Sequence, residues 1–310
     1  MSQTTSDKGF LLAHLNGVSP AHSDWFAGEL AQEPERATIV SNGSNIEMLS
    51  WGEIGAPPVM LLHGMGAHAE WWRFIAPALA TEHRVAAISW PGMGRSDWRS
   101  SYALPDFARD IMAGVEAAEL EKGGAPVLVG HSFGGLPLLQ AARDFPDRIC
   151  GGVMIDSFIP REPRPSKWAS ARDAMPVYPT IAAALARYRF APLQTAEHLD
   201  IVDFIARTSL REVEGGWTWS FDPNLRAKLD HDGAGALLEQ VERPIAVMYG
   251  ERSALVGREM IDDMRARLRN CPIVAGIPDA AHHVMVDQPV ALIAALRVAI
   301  GALRSLGSHR

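Results

Sequence analysis

The stretch "VLVGHSFGGLPLL", residues 127–139, decides how the rest of the chain is read. An apolar run ends at Gly130, a lone Ser132 follows, and Gly134 and Gly135 come directly after. A short continuous apolar run bounded by glycine reads as a strand buried on both faces, and the residues beyond Gly135 have helical spacing. The hydroxyl therefore stands at a strand-to-helix corner. To lift it clear of a parallel sheet, the chain must turn sharply and hold the serine in a strained conformation. Side chains two residues to either side would then collide with neighbouring strands, and glycines at 130 and 134 remove them. The following helix aims its N-terminal amides at the corner and favours negative charge there. In this context Ser132 is a candidate nucleophile. A serine that only caps a helix would leave Gly134-Gly135 without a reason.

The same strand form recurs along the chain. "PPVMLLHG" (57–64), "HRVAAISWPG" (83–92), "APVLVGHS" (125–132), "CGGVMIDS" (150–157), "RPIAVMYG" (243–250) and "CPIVAGIP" (271–278) are short apolar runs ending in turn residues. Before them, "ATIVSNGSNIEMLSWG" (37–52) reads as two strands around an Asn42-Gly43 turn. Helical patterns fall between the runs at 70–80, 106–121, 134–145, 257–269 and 290–305. Alternating strands and helices predict an α/β fold with a mostly parallel, doubly wound sheet, whose ligands bind at the carboxyl ends of the strands.

Residues 160–240 interrupt that alternation. They open with "PREPRPSKW", contain no buried-strand run, and have helical stretches around 179–189 and 199–212. The expected organisation is an N-terminal extension (1–35), a core in two parts (36–159 and 241–310), and an inserted helical lid (160–240). The lid's aromatics, among them Trp168, Tyr188, Trp217 and Trp219, are candidates for lining a substrate cleft, because a lid must bury an apolar underside somewhere.

Composition narrows the function. The 310 residues are 47% hydrophobic and 21% charged, with a formal net charge of -7, an ordinary soluble profile. The acidic balance and the absence of a basic cluster argue against nucleic acid as partner. The N-terminus lacks a basic region followed by a long apolar run, and no stretch reads as a membrane span, so a cytoplasmic protein is expected. Cys150 and Cys271 stand in no metal or redox spacing. "PGMGRS" (91–96) lacks the full dinucleotide fingerprint, and no phosphate loop, zinc spacing or calcium loop occurs. No cofactor and no metal are expected, and oligomeric state is not written in the chain.

A serine needs a base. Downstream of Ser132 the histidines are His198, His231, His282, His283 and His309. The first two fall in the inserted segment and the last at the chain's end. His282 and His283 lie in "IPDAAHHVMVDQP" (277–289), a loop after the last strand candidate, from which a base reaches a strand-end serine. His282 is the expected base. The base in turn needs a carboxylate, and two sit at strand ends: Asp156 after "GGVMI" and Glu251 after "VMYG". An oxyanion needs amide donors. Phe133, next to the serine, offers one, and Met65 in "HGMGAH" (63–68) the other. His63 and His68 in that loop read as hydrogen-bonded structure, since no carboxylate or cysteine completes a ligand set.

With these motifs in order, the chain resembles the α/β-hydrolase superfamily over roughly residues 36–305. The matching residues are HGMG (63–66), PGMGRS (91–96), GHSFGG (130–135), YGERS (249–253) and AHHVMVDQP (281–289). The resemblance implies Ser132 as nucleophile and His282 as base, with His283 in reserve. Many members carry the acid where Ser253 stands here; some carry it after the strand that follows the nucleophile, where Asp156 stands, and Asp156 is favoured over Glu251 on that ground. Ser89 is a second departure, standing where many relatives have aspartate. Members with an aspartate nucleophile act on haloalkanes and epoxides, chemistry that Ser132 excludes. The implied activity is hydrolysis of a carboxylic ester or lactone of small to medium, mostly apolar character. The alternatives are carbon–carbon bond hydrolysis of vinylogous diketones and a slow-turnover ligand receptor.

Overall fold

The central apolar runs become strands because both of their faces meet packed side chains, while the last run, at the sheet edge, stays partly exposed. The structure, a computed structural model, describes residues 9–159 and 175–307. Its strands are β1 (Glu35–Ser41), β2 (Ser44–Trp51), β3 (Pro58–Leu62), β4 (Arg84–Ile88), β5 (Tyr102–Ala103), β6 (Val127–His131), β7 (Gly151–Ile155), β8 (Leu210–Val213), β9 (Gly216–Trp219), β10 (Leu229–Asp230), β11 (Ile245–Gly250) and β12 (Val274–Ile277). Eight of them form one sheet in the order β1-β2-β4-β3-β6-β7-β11-β12. β2 runs antiparallel to β1 and β4, and every other pairing in that sheet is parallel.

Alternation along the strands feeds two cores, one on each face of the sheet. Val59 and Leu61 of β3 pack with Val127, Val129, Val153 and Ile155, beneath Leu292, Leu296 and Leu303 of the helix Pro289–Gly307. Met60 and Leu62 point the other way and join Leu128 and Met154. That face is covered by helices Leu104–Ala117, Gly135–Asp144 and Arg258–Arg267, through Phe107, Leu138 and Met264. Each fully buried side chain of this kind contributes about 1.5–3 kcal/mol relative to its exposed state.

Three sequence expectations need correction. The helical pattern at 70–80 divides into a 3₁₀ turn, Ala69–Trp72, and a short helix, Ala76–Ala80. Pro77 lies in the first turn of the second piece, where its missing N–H is tolerated, but it cannot sit inside one continuous helix. The stretch at 199–212 is helical only over Leu199–Thr208. The chain then enters an antiparallel hairpin, β8 and β9, around Glu214 and Gly215, with aromatic and β-branched residues (Trp217, Thr218, Trp219) favouring the strand. The inserted segment is therefore not helical throughout. Finally, Pro289–Gly307 has 19 residues and a mean hydropathy of 1.7, long and apolar enough by length and composition to cross a membrane. Here one side of it forms part of the core.

β10 pairs in parallel with β5, tying the end of the inserted segment back to the sheet domain, and the Tyr102 hydroxyl donates to Asp222 at 2.9 Å beside that seam. At the other end of the chain order, Phe26 packs edge-on against Phe74 and Phe204 at 5.6 and 5.8 Å, so the N-terminal helix Asp24–Leu30 is part of the first core. The carboxyl ends of β3, β6, β7 and β11, and the loop after β12, converge on one edge of the sheet.

Candidate active site

Ser132 follows β6 with φ +52°, a left-handed conformation that costs a non-glycine residue about 1–3 kcal/mol. Its flanking glycines are required sterically. A Cβ at Gly130 would lie 2.6 Å from the Gly134 carbonyl oxygen, and one at Gly134 would lie 2.5 Å from that of Leu62. The chain then passes through a 3₁₀ turn, Ser132–Gly134, into the helix Gly135–Asp144. Gly64, after β3, comes in close from the neighbouring strand: a Cβ there would meet Ser132 Cβ at 3.2 Å. This brings the loop that holds half-buried Met65 alongside Phe133 and the serine.

The histidine arrives from the loop after β12. The His282 backbone carbonyl accepts from His131 Nε2 at 2.9 Å, which fastens this loop to the residue preceding Ser132. On either side the loop is clamped. Asp287 accepts from the Ala281 amide at 2.7 Å and from Gln194 at 3.0 Å, and Gln194 accepts from the His283 amide at 3.0 Å. Burial pushes the Asp287 carboxyl above its ordinary range, and these donors oppose that.

Asp156 is 1% exposed at the end of β7, also in the left-handed region at φ +46°. Its carboxylate takes His282 Nδ1–H at 2.6 Å, the Ser253 hydroxyl at 2.7 Å and the Gly250 amide at 3.0 Å. A carboxylate oxygen can only accept from the ring, which fixes the imidazole with Nδ1 protonated and leaves Nε2 with its lone pair. Glu251 is exposed and makes no contact with His282; its neighbour Arg252 pairs with Asp279. The structure thus bonds His282 to Asp156, fastens the His282 loop to His131, the neighbour of Ser132 in the chain, and leaves Glu251 outside.

The other histidines sort by their bonds. His63 takes the Trp90 amide on Nε2 at 3.0 Å and donates from Nδ1 to Gly64, and His68 donates from Nε2 to Ser209 at 2.8 Å. Burial pushes both down to about 3, so both are neutral structural groups. His283 lies against His282 with ring centres 4.8 Å apart, and neither of its ring nitrogens has a partner among the described residues.

Of the aromatics singled out in the sequence, Tyr188 and Trp219 pack together at 5.7 Å and reach the site through Phe190, whose ring is 4.5 Å from His283. Trp217 sits farther along the hairpin, its backbone paired with Tyr178, and Trp168 lies outside the described residues. Sequence reasoning passed over Trp71, which packs edge-on against Phe190 and at a tilt against His283, and over Ser253, Gln194 and Asp287 as supports. Ser253 did carry a signal: it stands where the resemblance expects an acid in many members, and here its hydroxyl donates to Asp156.

An acid–imidazole pair beside a strained serine, at the carboxyl edge of such a sheet, is the arrangement of a hydrolase. The alpha/beta hydrolase family matches residues 59–296, and the chain belongs to that family. Esterase Rv0045c of Mycobacterium tuberculosis is 28% identical over 265 residues, covering 81% of this chain and 85% of that protein. A pimeloyl-[acyl-carrier protein] methyl ester esterase of Sodalis glossinidius is 26% identical, covering 78% and 93%. Among solved structures, a thioesterase domain from the curacin biosynthetic pathway superposes with a TM-score of 0.71 at 21% identity, over 85% of this chain and 99% of that one, a likeness of fold.

Proposed function

We propose that the protein is a serine esterase that cleaves a small to medium carboxylic ester or lactone through an acyl-enzyme. The observation that carries this reading is the buried 2.6 Å bond from His282 Nδ1 to Asp156, fastened next to Ser132. Ser132 Oγ attacks the carbonyl carbon while His282 Nε2 takes its proton, and Asp156 stabilises the imidazolium that forms. The amides of Met65 and Phe133 hold the oxyanion. His282 then protonates the leaving alcohol, and water, deprotonated by the same nitrogen, releases the acid and restores the serine. The names of the relatives, esterases and methyl ester esterases, agree with an ester as substrate and favour neither carbon–carbon cleavage nor a receptor.

Residues 175–240, the described part of the inserted segment, act in this reading as a cap over the strand ends. Tyr188, Trp219, Phe190 and Trp71 give the cleft an aromatic wall suited to an apolar acyl or alcohol group. The test is acid release in a pH-stat over a panel of acyl esters and lactones, with Ser132→Ala as the blank. Release that depends on Ser132 supports the reading; equal release by the variant overturns it.

A further inference from the structure

Three imidazoles meet beneath this site. His131, His282 and His283 are all buried, and one ring nitrogen from each lies within 4.8 Å of the other two. Their hydrogen bonds leave lone pairs over. His282 commits Nδ1 to Asp156, which frees Nε2. His131 must donate from Nε2, because its partner there is a carbonyl; its Nδ1 is then the unprotonated nitrogen, and it is buried without a partner. Gly64 keeps that nitrogen uncovered, since a Cβ at 64 would stand 3.0 Å from it. His283 is 6% exposed and has no partner on either nitrogen. A buried polar group without a partner is destabilising, so this cluster is held at a cost that a ligand would relieve.

We propose that His131, His282 and His283 form a binding site for a transition-metal dication, Zn²⁺ or a neighbour such as Co²⁺, Ni²⁺ or Cu²⁺, and that its occupancy switches hydrolysis off. Three imidazole donors select these ions over Mg²⁺ and Ca²⁺, which require oxygen ligands. Zn–N bonds of about 2.0–2.1 Å at tetrahedral angles put ligand nitrogens roughly 3.3 Å apart, a separation inside the 4.8 Å that bounds one nitrogen from each ring. The fourth position falls to water. The Asp156 bond to His282 Nδ1 is the support that orients a metal-bound imidazole. Binding exchanges metal-bound water for nitrogen and moves no electrons. The metal takes the same Nε2 lone pair that accepts the Ser132 proton, so metal and turnover compete. That inhibition rests on the proposed hydrolytic mechanism, whereas the binding does not. No metal-ligand spacing betrays the site in the sequence, because His131 and His282 are 151 residues apart.

The test is a Co²⁺ titration of chelator-stripped wild type and Ser132→Ala, followed by visible absorption, with ester hydrolysis measured in parallel for the wild type. One equivalent should saturate the d–d bands of both proteins, and hydrolysis should fall with occupancy and return on adding EDTA. His283→Phe replaces two unpartnered nitrogens by a ring that suits the Phe190 and Trp71 surroundings, and should weaken Co²⁺ at least tenfold with the inhibition curve moving equally. Asp156→Asn should weaken binding about 10–100-fold. If circular dichroism shows His283→Phe unfolded, His131→Leu carries the same expectation. Absence of bands up to millimolar Co²⁺ overturns the site, as do bands unchanged in these variants, which would place the ion at exposed His14, His22 or His231. Bands that follow the expectation while hydrolysis persists would refute the inhibition and, with it, His282 as the base.

Discussion

Asp156→Asn is the most informative single substitution. The carboxylate accepts from His282 Nδ1, Ser253 Oγ and the Gly250 amide, all within 3.0 Å. An asparagine that keeps its oxygen on the Gly250 amide turns its NH₂ toward Ser253 and His282. The serine hydroxyl can rotate to accept, but an imidazole cannot present Nδ1–H to another donor. His282 therefore takes the opposite tautomer, with the proton on Nε2 facing Ser132, and no lone pair remains to receive the serine's proton. The imidazolium also loses its counter-charge. In the serine-protease template this exchange lowers kcat about ten-thousandfold, equivalent to about 5 kcal/mol of barrier. KM should hardly change, since Asp156 lies behind the histidine. Initial rates on a chromogenic ester read the effect, with a thermal melt showing that the fold survives. Glu251→Gln, at an exposed position, should stay within twofold of wild type. An Asp156→Asn enzyme with more than a tenth of wild-type kcat, or a greater loss in Glu251→Gln, would refute the reasoning.

Ser253→Ala removes one donor from the buried carboxylate, and at about 1.5–3 kcal/mol for a charge-assisted bond kcat should fall at least tenfold while KM holds, with Ser253→Thr restoring most of it. Gly134→Ala drives a Cβ against backbone at Leu62 and His63, so urea denaturation should register a loss of about 1–3 kcal/mol together with a large loss of turnover; a variant as stable as wild type would contradict the close approach. Phe107→Ala empties a fully buried ring site between Trp90, Tyr102 and Phe133 and should cost about 3–5 kcal/mol of stability, read in the same denaturation assay.

What was legible in the sequence has a physical pattern. Strands buried on both faces must be continuous apolar runs, so β3, β4, β6, β7 and β11 were visible, each with its polar residue at the end. The corner at Ser132 was visible because backbone crowding at Gly130 and Gly134 allows no other residue there. Asp156 is a local feature too, one strand beyond the serine. The hairpin β8–β9 was not legible, since four-residue half-exposed strands carry too little alternation to compete with a helical pattern. Contacts that depend on tertiary packing were equally hidden. Trp71 and Phe190 are 119 positions apart in the chain by their numbers yet share one wall with His283, and the Gln194–Asp287 clamp joins a loop to the end of the short helix Val284–Asp287 without any periodicity.

The central claim is that Ser132 carries the acyl group. The most direct measurement is intact and peptide mass spectrometry after treatment with an organophosphonate that traps activated serines, on wild type and on His282→Ala. The account predicts one adduct per chain, mapped to Ser132, with labelling slowed at least a hundredfold when His282 is removed. An unlabelled Ser132, or an adduct on another residue, would contradict it.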